Sequence, residues 1–286
     1  MDTRTADLIG PIEMVVARDT WRAIAGASLG PYASAMSIAW LREHRPEVHK
    51  RTARFSLVQD FITQRLTGTP ALDHPNASRT LLFDVRSRGW CPELMAAVGV
   101  GEDQLAPALP SGTCVGAICE AAAAELGLRP GTAVSLGGHD QTCAGIGAGV
   151  VKAGSMLLSC GTAWVLLASV DRPSVAVGDG GVQVYCHAAP DRWALLTAHA
   201  GGNVFAWCRD VLYGGANTGY EEIGAEAAHR PLPQRVDTDD GYTSGLQLLA
   251  LHRLHRIPPQ LENLHAVESG VPTIFGCVGF VFRVVR

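Results

Sequence analysis

Apolar positions recur at helical spacing in "ASAMSIAWLREHRPEV" (residues 33–48), around Ile38 and Leu41. That predicts a helix which Pro46 either ends or restarts. A second amphipathic run, "FSLVQDFITQRLTG" (55–68), closes on Gly68 as a C-cap. "TPALDHPNASRT" (69–80) reads as loop, being rich in Pro, Asn, Ser and Asp. "WCPELMAAVGV" (90–100) and the alanine-rich "GAICEAAAAELGL" (116–128) read as short helices. "GTAVSLGG" (131–138) reads as a brief buried strand bounded by glycines, and "DQTCAGIGAGV" (140–150) returns to helix with Asp140 at or near its N-cap.

Beyond that point the pattern changes. "SMLLSC-GT-AWVLLAS" (155–169) predicts a hairpin or two neighbouring strands, with Gly161 free to take a turn conformation that other residues resist. "DGGVQVYCHAAPDRWALLTAH" (179–199) predicts two strands about a turn at Pro190-Asp191, and "GGNVFAWCRDVLYGG" (201–215) a helix between glycines. Helices alternating with short strands imply an α/β architecture. After Gly214 the signals weaken.

Composition narrows the class. Hydrophobic residues make up 47% and charged residues 17% of 286, enough to bury a large core in one or two domains. A net charge of −4, with Lys only at Lys50 and Lys152, gives no basic stripe for nucleic acid. The eight cysteines form no CxxC pair, which favours reduced thiols and a cytoplasmic setting over disulfides or zinc. His252 and His255 lack the thiolate partners of a zinc finger. The charged first twenty residues are unlike a signal peptide, and the longest apolar run, "VPTIFGCVGFVF", is too short to span a bilayer.

Two small features suggest chemistry. Asp140 follows Gly137-Gly138 and His139 where a strand hands over to a helix, the position where ligands collect in open α/β sheets. A carboxylate there suits a general base, or a metal or sugar ligand; it equally suits a plain helix cap worth about 1 kcal/mol. Gly161-Thr162 suits a phosphate cradle or an ordinary turn. No G-x-x-x-x-G-K-[ST] or G-x-S-x-G occurs. Gly145, Gly147 and Gly149 give G-x-G-x-G inside a predicted helix, weak support for a nicotinamide-dependent oxidoreductase.

Taken in order, the pieces resemble the FGGY family of carbohydrate kinases. "MDTRT", "PYASAMSIAWL", "QDFITQRLTGTPALDHPNASRTLLFDVRSRGW", "PSGTCVGAI", "GLRPGTAVSLGGHDQTCAGIGAGVVKAG", "SCGTAWVL" and "HAGGNVFAWCRDVL" carry the likeness from Met1 to about Leu212. The resemblance implies a ribonuclease-H-like (actin-type ATPase) two-domain α/β fold, here incomplete. Residues 1–152 would form part of the sugar-binding domain and 153–286 part of the nucleotide-side domain. It implies transfer of the γ-phosphoryl group of ATP, with Mg2+, to a hydroxyl of a sugar or polyol, a xylulose-like acceptor being slightly favoured. Asp140 matches the general base and Gln141 a sugar contact. Tyr32 and Asp2 fall on the sugar side. Gly161 and Thr162 match the loop for the terminal phosphates, with Gly201 and Gly202 near the nucleotide. No residue is assigned to the metal. A homodimer is compatible with this reading.

The likeness has limits. No "D-G-T-[ST]" segment precedes "MDTRT", and no late "GG-[GA]-[SA]-S" glycines occur. After "DDGYTSGLQLL" the pattern is lost, so a divergent, truncated or frame-shifted tail is expected from about residue 250. The alternative to an active kinase is therefore a fragment that binds or assembles without turnover.

Overall fold

The computed structural model describes residues 3–161, 163–173, 181–199, 201–202, 206–207, 209–210, 219–222 and 280–284. Asp2, Thr162 and most of the predicted divergent tail lie outside the described residues, as does much of the predicted helix after Gly202. Contacts divide the chain into two units: Met1–Ser155 with Leu167–Leu196, and Met156–Leu166 with Thr197–Arg286.

The first unit begins with a 3₁₀ turn (Ala6–Leu8), α1 (Ile9–Glu13) and α2 (Arg18–Ala25), none of which the sequence pattern singles out. The predicted break at Pro46 is present: α3 (Ser34–His44) ends at Arg45 and α4 (Pro46–Arg51) restarts with proline in its first turn. α5 (Val58–Thr67) ends on Gly68 at φ 81°, a left-handed C-cap. Its amphipathic expectation is overturned, however. Asp60 and Thr63 are the buried positions, while Val58, Phe61 and Ile62 are about half exposed or more. Apolar spacing marked a real face of the helix, but among the described residues nothing covers it.

The predicted loop at 69–80 is also corrected. β1 (Leu72–Asp73) leads directly into α6 (His74–Arg79). Asp73 is the N-cap: its Oδ1 accepts from the Asn76 N–H and its Oδ2 from the Asn76 amide, both at 2.8 Å. Pro75 occupies the first turn, where a missing N–H costs nothing. The same residues that read as loop therefore form a helix start.

β2 (Phe83–Asp84) and β3 (Gly89–Trp90) form a small antiparallel pair, followed by α7 (Pro92–Val98). β4 (Ala108–Leu109) pairs parallel with β1. The predicted helix at 116–128 is shorter than expected, because Cys114–Ala117 is strand β5 and α8 spans only Glu120–Leu126. β6 (Ala133–Ser135) pairs antiparallel with β5 and is followed by α9 (Asp140–Gly147). β6 is a strand as predicted but not a buried one, since Ala133 and Ser135 are exposed. β7 (Met156–Cys160) and β8 (Trp164–Val170) take the predicted places on either side of Gly161. β9 (Gln183–Cys186) and β10 (Trp193–His199) flank the expected turn and pair antiparallel, with Trp193 opposite Cys186. In the second unit β11 (Phe280–Val284) pairs antiparallel with β7.

The core of the first unit lies where α2, α3 and α7 meet the 81–82 segment. Trp21, Met36, Leu82 and Leu94 are fully buried there. Each such side chain contributes about 1.5–3 kcal/mol from area removed from water. β9 is held against this body at two points. The Val184 N–H donates to the Gly26 carbonyl at 2.9 Å, and the Cys186 N–H to the Ser78 hydroxyl at 3.2 Å. Gly26 sits at φ 76°, and a Cβ there would run into the Val184 carbonyl. Only glycine permits this approach.

Burial holds His74, His139 and His187 below the usual histidine pKa. The clearest case is His187, 5% exposed, whose Nδ1 accepts from the Ala189 N–H at 2.8 Å. Protonating Nδ1 would set two N–H groups against each other. Below the ordinary histidine pKa the unfolded chain binds more protons than the folded one, so stability rises with pH through that window and falls on acidification. The melting temperature is therefore expected to drop between pH 7.5 and pH 5.5, and His187→Gln, neutral throughout, to flatten that drop in thermal melts.

Candidate active site

Asp140 is the first residue of α9, and the N-cap position belongs to His139, which makes no side-chain capping bond. The Asp140 carboxylate accepts from the adjacent Gln141 N–H at 2.7 Å and lies 3.2 Å from His139 Nδ1. Its side chain is 81% exposed. A capping aspartate would instead turn inward onto the second or third helical N–H, as Asp73 does in α6. Of the two readings open at this residue, a capping role is thus not the one its geometry follows. The helix N-terminus favours the negative charge where it stands.

Glycine at 138 is required by packing. A Cβ there would come within 2.9 Å of the Ala188 Cβ and 3.3 Å of Cys143 Sγ. At Gly137 nothing would be met within 4 Å. The strand-to-helix turn is thereby pressed against the 187–189 segment at one glycine and open at the other. Gln141 is half-buried, and its Oε1 has no hydrogen-bond partner among the described residues.

A polar group surrounds this turn that the sequence pattern did not identify. Arg79, at the end of α6, donates to the Gln183 side-chain oxygen at 2.9 Å and to the Tyr185 hydroxyl, and its guanidinium lies over the Tyr185 ring. The Tyr185 hydroxyl in turn donates to Gln183. On its other side Tyr185 stacks on His139, with centroids 6.4 Å apart. Burial pushes the Tyr185 phenol up to about 12, against the pull of Arg79, so it stays protonated. His139 is lowered first by burial and then by Arg79, while Asp140 and Asp73 act to raise it. The exposed Tyr32 is near enough to raise Tyr185 further.

Of the sequence-predicted acceptor-side residues, Asp140, Gln141 and Tyr32 thus gather with Arg79, Gln183, Tyr185 and His139 in the first unit. Asp2 falls outside the described residues. One signal for the missed group was available: Gln183 and Tyr185 alternate along β9 with Val184 between them, and so share a face. Arg79 carried none, because its segment read as loop.

In the second unit, Gly161 and Gly202 are brought together: the Gly202 N–H donates to the Gly161 carbonyl at 3.1 Å. The Gly161 N–H is engaged by the Ala163 carbonyl, also at 3.1 Å. The Gly161 amide, expected in the phosphate cradle, and the Gly202 amide, expected near the nucleotide, are therefore already hydrogen-bonded. Gly161 also does not adopt the left-handed φ that its turn was expected to need. Gly201 is buried, and a Cβ there would overlap the Trp164 ring. Thr162 lies outside the described residues. Among the described residues no cluster of three or more His, Cys, Asp or Glu is placed to hold a metal, the six cysteines are free thiols, and no helix is long and apolar enough to cross a membrane.

The chain is similar in sequence and in fold to known sugar kinases. The chain is 33% identical over 192 residues to the autoinducer-2 kinase of Klebsiella pneumoniae, covering 66% of this chain and 36% of that one. It is 31% identical over 191 residues to the xylulose kinase of Bacillus subtilis, covering 66% and 38%. The chain thus spans little more than a third of the length of the curated relatives it matches. The crystal structure of xylulose kinase from Rhodospirillum rubrum superposes with a TM-score of 0.73 at 24% identity, over 80% of this chain and 47% of that one, a likeness of fold. The fold is accordingly part of the actin-type ATPase fold of these sugar kinases. Residues 1–147 match the N-terminal domain of the FGGY family of carbohydrate kinases, the family to which this chain belongs.

Proposed function

We propose that this chain carries the acceptor side of an ATP-dependent carbohydrate kinase, with Asp140 as the general base. The observation that carries the reading is the exposed Asp140 carboxylate at the first position of α9, next to a polar cluster. Phosphoryl transfer asks the protein mainly to position the groups and balance charge, and a base is needed only to take the proton from the attacking hydroxyl. Asp140 accepts that proton. Gln141, next to Asp140, is assigned to the sugar side. Tyr32 presents an exposed phenol. Arg79 fixes Gln183 and Tyr185, and Tyr185 with the bound His139 keeps the turn before Asp140 in place.

The acceptor on this reading is a small polyhydroxylated compound, with a xylulose-like ketose favoured by the named relatives. ATP with Mg2+ supplies the phosphoryl group when bound. Mg2+ usually keeps several waters and takes only one or two carboxylates besides the phosphates, so a cluster of protein ligands is not a requirement. Asp2, and Thr162 with Gly161, Gly201 and Gly202, stay assigned to the sugar and nucleotide sides as proposals. A second reading, a sugar-binding module without turnover, draws support from the Gly161 and Gly202 amides being already hydrogen-bonded.

A coupled ADP-release assay over xylulose, autoinducer-2, gluconate and glycerol is expected to show acceptor-dependent turnover with at least one of them. Turnover with none, together with calorimetric binding of an acceptor, would favour the second reading. Asp140→Asn is expected to lower kcat by about 10²–10⁴-fold. Its melting temperature should not change, because the side chain is exposed. Full activity of that variant would remove the base assignment.

Arg79→Gln is expected to raise the acceptor KM about tenfold, equivalent to ~1.4 kcal/mol, with a smaller change in kcat. Steady-state kinetics alongside a thermal melt make the check. Loss of stability with an unchanged KM would show that the cluster only holds β9 in place.

A further inference from the structure

A carboxylate has two oxygens, and those of Asp140 stand in different surroundings. Oδ1 accepts the Gln141 N–H at 2.7 Å and lies 3.2 Å from His139 Nδ1. Oδ2 makes no hydrogen bond among the described residues. The His139 nitrogen is closed to solvent, and in its present orientation it is not aligned for a hydrogen bond with any described group.

Where the imidazole keeps its proton decides what Nδ1 does to Oδ1. The ring is neutral near pH 7.5: burial and then Arg79 lower its pKa, against the pull of Asp140 and Asp73. A bare Nδ1 would face Oδ1 lone pair to lone pair, on a side that water does not reach. It would also be an acceptor for an amide of the first turn of α9, the usual use of an N-cap side chain, yet His139 makes no such bond. A protonated Nδ1 instead meets a negative charge, and a small rotation completes a charge-assisted hydrogen bond. His187 is the opposite case, because its Nδ1 accepts the Ala189 N–H and the proton is left to Nε2. Tyr185, stacked on the His139 ring, holds its plane.

We propose that His139 is a positioning residue: it keeps its proton on Nδ1, holds Asp140 Oδ1 together with the Gln141 N–H, and so commits Oδ2 to the acceptor hydroxyl. This rests on the reading of Asp140 as the base. The O–H bond of the hydroxyl breaks at Oδ2, which takes the proton, while the electron pair stays on the attacking oxygen. With two donors on it, Oδ1 is the weaker proton acceptor, and the carboxylate does not exchange its two oxygens at the site.

Histidine tautomers are read from long-range proton–nitrogen NMR correlations, with no need for turnover. In the nitrogen-15-labelled full chain at pH 7.5, the ring whose signals vanish in His139→Asn is expected to show the Nδ1–H pattern. In Asp140→Ala, which removes only an exposed side chain, the same ring is expected to shift mainly to Nε2–H. An Nε2–H tautomer in the unaltered chain, or an Nδ1–H tautomer that survives Asp140→Ala, would overturn the proposal. Neither result touches the base assignment, which falls only with a fully active Asp140→Asn. His139→Phe keeps a ring against Tyr185 but has no donor, and is expected to lower kcat about tenfold with the acceptor KM and melting temperature little changed. His139→Asn, whose amide N–H takes the place of the Nδ1 donor, is expected to retain most of kcat. Unchanged kcat in His139→Phe, or equal losses in the two variants, would also overturn the positioning role.

Discussion

The candidate site depends on the buried cap that Asp73 makes on α6. Both carboxylate oxygens are used, one on the Asn76 backbone and one on its side chain, and Gln59 on α5 in turn donates to the Asn76 oxygen at 3.3 Å. With Asp73 only 2% exposed, breaking that arrangement would strand a charge in the interior. The helix so fixed is six residues long, too short to be stable by propensity. Yet its last turn presents Ser78 and Arg79 to β9, and through β9 the stack of Tyr185 on His139. The orientation of the turn before Asp140 is therefore set largely by a cap some sixty residues earlier in the chain.

Glycine plays a complementary part by letting backbones meet. Gly26 admits the Val184 carbonyl, and Gly138 admits Ala188. Gly145 comes within 3.4 Å of His187 Nε2, counted from where its Cβ would stand. These three contacts all bear on the 184–188 segment, from α2 on one side and from α9 with its preceding turn on the other. Polar cap and glycine contacts act in the same direction: they bring β9 close enough for Tyr185 to bridge Arg79 and His139.

How much of this was legible in the sequence follows from which forces are local. The break at Pro46 and the stop at Gly68 depend on φ restrictions of single residues, and both were readable. The order of motifs was readable as well, and led to the family. The helix at 74–79 was not, because Pro, Asn and Ser usually mark loops; here the buried Asp73 caps the helix through both groups of Asn76, which Gln59 of α5 holds in turn. α5 misled in the opposite sense. Its apolar spacing was genuine, but burial was decided by where Asp60 and Thr63 found neighbours. The predicted burial of β6 failed for a related reason: its apolar character was local, whereas the described residues give it only β5 as a partner. At the candidate site, Asp140 was singled out through its glycine neighbours, and Gln141 and Tyr32 only through the resemblance. Arg79, Gln183 and Tyr185 come together only through contacts spanning more than a hundred residues.

Of the aspartates in or beside the first turn of a helix, Asp73, Asp60 and Asp140 differ in ways that argue how one residue type can serve three purposes. Asp73 precedes its helix, is buried and has both oxygens occupied, so it can do little besides hold structure. Asp60 is equally buried but leaves one oxygen unmet among the described residues, a state that costs stability. Asp140 is solvated, accepts among the described residues only from the next N–H, lies 3.2 Å from His139 Nδ1, and stands at a helix start, which favours negative charge. A general base must be ionised and reachable before substrate arrives, and burial like that of Asp73 or Asp60 would oppose both conditions. Exposure here is thus a requirement of the proposed chemistry. The rigidity that catalysis also needs has to come from outside the carboxylate, and the Arg79–Tyr185–His139 stack provides it.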